Sequence, residues 1–247
     1  MSLLKNVVLL CLCFKAFLHA EWNPDFLCQQ CEHMQKCLAD KQYIDLKAQV
    51  SETLRNSWCS QEKINLLMDL TILTCPAVCV EVGVFTGSSI LPVAASMSYL
   101  NLGTIYAVDA WSNAKAILHL SEDDPNRKWW SQVDMAAAYQ MFRDLIEEWS
   151  LDRFCIDVCK SSSEAISEIP NQIDFLHLDG DYSETGALQD VGLYLPKVKS
   201  GGYILFSNLY FMVKREQPKI KAFCVLCETC DIVATIEKDN VVLFQKK

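Results

Sequence analysis

Val78-Cys79-Val80-Glu81-Val82-Gly83-Val84-Phe85-Thr86-Gly87-Ser88-Ser89 is the stretch on which the fold turns. Its first five residues are a short apolar run with β-branched side chains, ended by Gly83. A strand buried on both faces of a parallel sheet reads this way. Gly87-Ser88-Ser89 then opens a helix through Leu91, Val93 and Met97. Glu81 is the acid at the strand end, Gly83 lets backbone approach a ligand closely, and Gly87 allows a tight entry to the helix. Free N–H groups at a helix start favour a carboxylate or phosphate. The spacing Gly83-x-x-x-Gly87 lacks the G-x-G-x-x-G of a dinucleotide fold, which lowers a nicotinamide reading. A plain strand-to-helix turn that uses glycine for packing alone would share these residues.

Downstream, Gly103 ends the connection and Thr104 to Val108 form a second strand closing on Asp109, 26 residues after Gly83. An acid at that point accepts hydrogen bonds from ribose hydroxyls, although a helix N-cap needs no more than the same Asp. A polar segment (Ser121 to Arg127) precedes an expected long helix from about Trp129 to Trp149. Phe154 to Val158 and Ile173 to Leu178 read as the third and fourth strands. A helix over Glu184 to Leu195 stops at Pro196, and Gly201-Gly202 turn into a fifth strand, Tyr203 to Phe206. A helix over Val213 to Leu226 leads to two last strands, Asp231 to Ile236 and Asn240 to Phe244, joined by Glu237-Lys238-Asp239. Strands alternating with helices predict an α/β, doubly wound, mostly parallel seven-stranded sheet whose last strand is antiparallel.

Upstream, Met34, Leu38, Tyr43, Leu46, Val50 and Leu54 suit one or two amphipathic helices between His33 and Asn56. Another helix starts after Ser60, an N-cap with Lys63 rather than Glu at the capping-box position. Its expected apolar face is Ile64, Leu66, Leu67, Leu70 and Ile72. Lys5, the apolar run Val7 to Phe14 and Leu18-His19-Ala20 have the layout of a secretory signal over residues 1–20, which predicts export. Lys15 interrupts the run, and a buried helix in a cytoplasmic protein is the alternative. Residues 21–73 are then a cysteine-containing helical extension, and residues 74–247 the main domain. Of the thirteen cysteines, Cys28-x-x-Cys31-x-His33-x-x-x-Cys37 has enough ligands for zinc but not a strong zinc spacing, so disulfides or free thiols compete.

The composition is that of a globular chain, with 51% hydrophobic and 21% charged residues. A net charge of −9 without basic runs disfavours nucleic acid as a partner. The leader is too short for a stable membrane span. Oligomeric state has no signal in the sequence.

Four motifs then fall in one order: Glu81 to Ser89; Val108-Asp109-Ala110-Trp111; Phe175-Leu176-His177-Leu178-Asp179-Gly180-Asp181-Tyr182-Ser183; and Leu195-Pro196 to Gly201-Gly202-Tyr203-Ile204-Leu205-Phe206. In this the chain resembles the class I S-adenosylmethionine-dependent methyltransferases, with their Rossmann-like fold. The resemblance is to the metal-dependent subgroup of catechol, caffeoyl-CoA and macrolide-sugar O-methyltransferases, and it covers about Val78 to Phe244. Phe85 stands where the wider class has a glycine, and an aromatic there is usual in the subgroup.

The resemblance implies S-adenosylmethionine as cofactor and a small-molecule hydroxyl as acceptor. Glu81, Gly83 and Ser89 would surround the methionine half of the cofactor, with Phe85, Gly87 and Ser88 also among the cofactor-binding residues; Asp109 would hold the ribose, and Ser162 or Ser163 would sit near the adenine. Trp111, two residues after Asp109, either covers the adenine or simply packs beneath the loop. Asp179 would lie beneath the transferred methyl. The subgroup's divalent cation would fall to Asp179 and Asn208, with Ser207 replacing a carboxylate, so Mg²⁺ is expected to bind weakly or not at all. Tyr182 occupies the position of the base, a Lys or His in the family, and Asp181 could substitute for it or help hold the metal. His177 reads as a core histidine, and Trp129-Trp130 as lid core or acceptor wall. A related non-methylating enzyme such as a hydroxylase, or a degenerate nucleoside-binding or interaction protein, are the competing readings. Export also conflicts with a donor made in the cytosol, unless the chain acts inside another cell.

Overall fold

The apolar pentad forms β1 (Val78–Val82), sandwiched between β2 (Thr104–Val108) and β4 (Ile173–Leu178), both parallel to it. The structure, a computed structural model, describes residues 36–210, 212–213 and 216–247. The expected leader and the Cys28, Cys31 and His33 cluster lie outside the described residues. The sheet is completed by β3 (Cys155–Val158), β5 (Val198–Ser207), β6 (Cys230–Ile236) and β7 (Val241–Lys246), in the order β3-β2-β1-β4-β5-β7-β6. β7 is antiparallel to both neighbours. Strand order reverses between β1 and β4, so a crevice opens at the carboxyl ends of these strands, where open α/β sheets bind ligands.

Two apolar layers cover the sheet. On one face α3 (Ile90–Leu100) packs with α1 (Lys41–Thr53) and α2 (Gln61–Thr74), burying Tyr43, Ile64, Leu67 and Met68 in the same core as Val93 and Met97. Burying each such aliphatic side chain contributes about 1.5–3 kcal/mol, so these N-terminal helices are integral to the sheet's cover. Lys47 and Tyr43 of α1 both hydrogen-bond Asp69 of α2. Ser60 caps α2 as expected, accepting from the Lys63 N–H, and its own N–H and hydroxyl bind Asp239 in the β6–β7 turn. The opposite face carries α8 (Glu184–Tyr194) and α9 (Ile220–Thr229), with Ala187, Val191, Ala222 and Leu226 buried.

The structure corrects three sequence boundaries. The long helix expected over Trp129 to Trp149 is two, α5 (Pro125–Gln132) and α6 (Met135–Glu148). Val133 is extended, and Asp134 caps α6 by accepting from the Ala137 N–H, so an N-cap inside the apolar pattern breaks it. The helix expected over Val213 to Leu226 begins seven residues later, at Ile220, because Pro218 disfavours helix in the residue before it. β5 begins at Val198, with Gly201-Gly202 inside the strand at a register irregularity against β4. Short helices α4 (Asn113–Ala116) and α7 (Ser162–Ala165) follow β2 and β3. Among the described residues no helix is long and apolar enough to cross a membrane.

Candidate active site

A cleft opens over the carboxyl ends of β1, β2 and β4, and its wall includes Gly83, Phe85, Ser88, Asp109, Ser163 and Asp179. Gly83 has φ +88°, and a Cβ there would lie 2.6 Å from the Gly180 Cα and 2.7 Å from the Asp179 carbonyl oxygen. The β1 and β4 turns therefore touch backbone to backbone, a packing open to glycine alone. Phe85 adopts φ +52°, the left-handed conformation that explains why the wider class favours glycine there.

Asp109 clamps this loop. One carboxylate oxygen accepts from the N–H groups of Val84 and Phe85, each at 3.0 Å, and the other from Trp111 N–H at 2.8 Å. Burial pushes its carboxyl above the usual range, and the three amides pull it back. Trp111 turns its indole away from the cleft: it donates to the Phe85 carbonyl and stacks on Phe142 at 5.3 Å. Gly87 also stands behind the wall, against Phe142. Ser89 lines the cleft but donates its hydroxyl to buried Glu81.

Ser162 and Ser163 both reach the cleft from α7. Ser162 is engaged with Asp190, whose carboxyl burial raises to about 6. The Ser163 hydroxyl is 3.4 Å from Ser161 Oγ, leaving it the freer of the two.

The β4–β5 end is crowded with charge. Asp179 accepts from the Asn208 side-chain amide at 2.6 Å and lies 3.4 Å from the Lys63 ammonium and 3.6 Å from His177 Nε2. Burial disfavours the charged carboxylate, but Lys63, His177 and Lys219 outweigh that and hold it below the ordinary range. Lys63 is itself 5% exposed; burial opposes its charge, and Asp179 more than restores it. Lys219, equally buried, donates to the Ser207 carbonyl, and there burial wins and lowers it. His177 pairs across the strands with Glu81 in register and hydrogen-bonds Ser207 Oγ at 2.9 Å. Glu81 Oε2 and His177 Nδ1 are 3.3 Å apart, each buried without a hydrogen bond.

A divalent metal does not fit these residues. Ser207 Oγ is turned to His177, the Asn208 amide is turned to Asp179, and Asp179 already faces an ammonium. The Lys63 ammonium lies 3.4 Å from Asp179 Oδ2, so a divalent ion on that carboxylate would meet a like charge already in place. Among the described residues no group of three His, Cys, Asp or Glu is disposed to hold a metal.

Over the cleft lies an aromatic roof. Trp58, from the α1–α2 connection, stacks on Phe85 at 5.2 Å and 8°. Trp129 and Trp130 of α5 pack on Phe85, and Trp130 reaches Tyr182. The tryptophan pair thus divides its roles: Trp130 lines the cleft while Trp129 is 43% exposed outside it. Asn113 secures the roof by donating to the Trp130 and Val133 carbonyls. Tyr182 also lines the cleft, but burial and Asp179 push its phenol further up, so it remains protonated.

Two residues that line the cleft had no site role in the sequence reading. His119, between α4 and α5, lines the cleft with Nδ1 2.7 Å from Asp181 Oδ2; a lone histidine in a polar segment has no local signature. Lys63 left a trace, since it replaces the usual capping-box Glu.

Residues 80–209 match the sequence pattern of a family described as a methyltransferase domain. Among curated proteins none matches the sequence. The fold is shared with the O-methyltransferase NovP (TM-score 0.61, 18% identity, 79% of this chain and 88% of that one covered). It is shared too with the S-adenosylhomocysteine-bound Podospora anserina methyltransferase PaMTH1 (0.56, 13%, 92% and 97%). The S-adenosylmethionine complex of TomG from Streptomyces achromogenes is similar (0.55, 12%, 84% and 91%). The family match runs over more than half of the chain, from β1 past Asp179 to the end of β5, and the chain belongs to the methyltransferase-domain family.

Proposed function

We propose that this protein is an S-adenosylmethionine-dependent O-methyltransferase of a small molecule, with His119 as the general base. The reading is carried by the His119–Asp181 pair, which lines the same cleft as Asp179 and the Gly83 loop. It is supported by family membership and by neighbours that include cofactor-bound O-methyltransferases.

The cofactor, when bound, supplies a methyl carbon made electrophilic by its sulfonium. The Gly83 loop and the start of α3 would receive its methionine carboxylate, Asp109 would offer its remaining acceptor capacity to the ribose, and Ser163 would meet the adenine edge. The aromatic roof offers an apolar surface for the body of the acceptor. Asp181 accepts from His119 Nδ1–H, which leaves Nε2 as the lone-pair nitrogen facing the acceptor. Nε2 would take the proton of the acceptor hydroxyl, leaving that oxygen able to attack the electrophilic methyl the bound cofactor would supply. Tyr182, kept protonated, serves as a hydrogen-bond donor.

Formation of S-adenosylhomocysteine from S-adenosylmethionine and a panel of phenols and aliphatic alcohols tests this reading. Turnover with at least one acceptor is expected, falling about 10²–10⁴-fold in His119→Gln with S-adenosylhomocysteine affinity unchanged. Cofactor binding without turnover on any acceptor would mean a binding protein. Full activity in His119→Gln would remove the base assignment.

A further inference from the structure

We propose that the Lys63 ammonium is the resident cation at the methyl-transfer end, in the place a divalent metal holds in the subgroup this chain resembles, so that transfer here is metal-independent. The inference rests on the methyltransferase reading and goes beyond it by naming what polarises the acceptor.

Each of the three residues at the metal position is committed to a protein partner. Ser207 is 1% exposed, bonded to His177 through its hydroxyl and to Lys219 through its carbonyl. Asn208 presents its NH₂ group to Asp179, so its amide acts as a donor; the reverse orientation would set two oxygens 2.6 Å apart. The remaining oxygen of Asp179 faces Lys63. The set is closed by an amide and an ammonium on one carboxylate.

Lys63 is held where it can serve. It sits in the first turn of α2, whose N-terminus is tied by Ser60 to Asp239, and α2 is packed into the core through Ile64 and Leu67. Its side chain lines the cleft together with Asp179, Asp181 and His119. An ammonium has three N–H donors. One is directed at Asp179, and the others are available to an acceptor oxygen. As His119 removes the hydroxyl proton, the developing negative charge meets a positive group already fixed in place, and such preorganisation stabilises it. Lys219, behind Tyr182 and Phe206, adds a second cationic nitrogen to the acidic floor of Asp179, Asp181 and Asp190.

The test is Mn²⁺ titration of the S-adenosylhomocysteine-loaded protein, by calorimetry and by the electron paramagnetic resonance of free Mn²⁺, for wild type, Lys63→Ala and Lys63→Arg. Wild type and Lys63→Arg are expected to show no site tighter than millimolar. Lys63→Ala, which opens Asp179, should bind Mn²⁺ at least ~10-fold more tightly. A micromolar Mn²⁺ site in wild type would overturn the inference, and that measurement stands even if Lys63→Ala fails to fold. Folded Lys63→Ala with wild-type Mn²⁺ behaviour would overturn it as well. S-adenosylhomocysteine affinity is read in the same samples: its absence from wild type would sink the methyltransferase reading, whereas its presence beside tight Mn²⁺ would sink the cation assignment alone.

Discussion

At the β1–β2 end of the cleft, Asp109 gathers three backbone amides, all from residues within two turns at neighbouring strand ends. At the β4–β5 end, Asp179 is met by Lys63, 116 residues away in the chain, and by Asn208, 29 residues away. The first half is a loop folded around a carboxylate. The second is assembled from side chains that separate elements deliver: α2, the α4–α5 segment, β4 and the end of β5. A site of the first kind is fixed by the strand pattern and glycine spacing, so it announces itself in sequence. A site of the second kind depends on tertiary packing, and its chemistry can change through one substitution in a remote helix while the sheet stays the same.

The sharpest break in this comparison is Gly83→Ala. The added methyl would meet the Asp179–Gly180 backbone at a positive φ that non-glycine residues rarely adopt. A loss of about 3 kcal/mol or more is expected in urea unfolding, with S-adenosylhomocysteine binding lost at the same time. Wild-type stability in this variant would show that the two halves do not lock through their turns.

A smaller effect sharpens the acceptor side. Burial raises Asp190 to about 6, opposed by Ser162 and by the Asp181 N–H. The unfolded carboxyl titrates near 3.9. The native state therefore binds more protons between roughly pH 4 and 6, and stability falls as pH rises through that window. Asp190→Asn should be more stable than wild type by up to ~2 kcal/mol at pH 7.5, with the gain gone at pH 4. Urea melts at the two pH values check this, and a pH-independent difference would assign the effect to packing instead.

The same contrast explains what could be read in advance. β1, β2 and β4 have the boundaries predicted from their apolar runs, and Ser60 caps α2 as its position suggested. These features depend on residues close in sequence. The Trp129 to Trp149 helix was misjudged because its apolar periodicity continues across Asp134, where a cap competes with the pattern. Trp111 lies at the expected position two residues after Asp109, yet its left-handed backbone turns the ring into the Phe142 layer. His119 was missed altogether, since its partnership with Asp181 spans 62 residues and exists through the placement of α4 and α5. Lys63 was visible as an irregular capping box, but its meaning required Asp179 beside it.

The most direct test of the account is calorimetric titration of S-adenosylhomocysteine into chelator-treated wild-type protein. The account predicts one site per chain, with an affinity that added Mg²⁺ leaves unchanged. Absence of binding to folded protein would contradict it, and so would binding that appears when Mg²⁺ is restored.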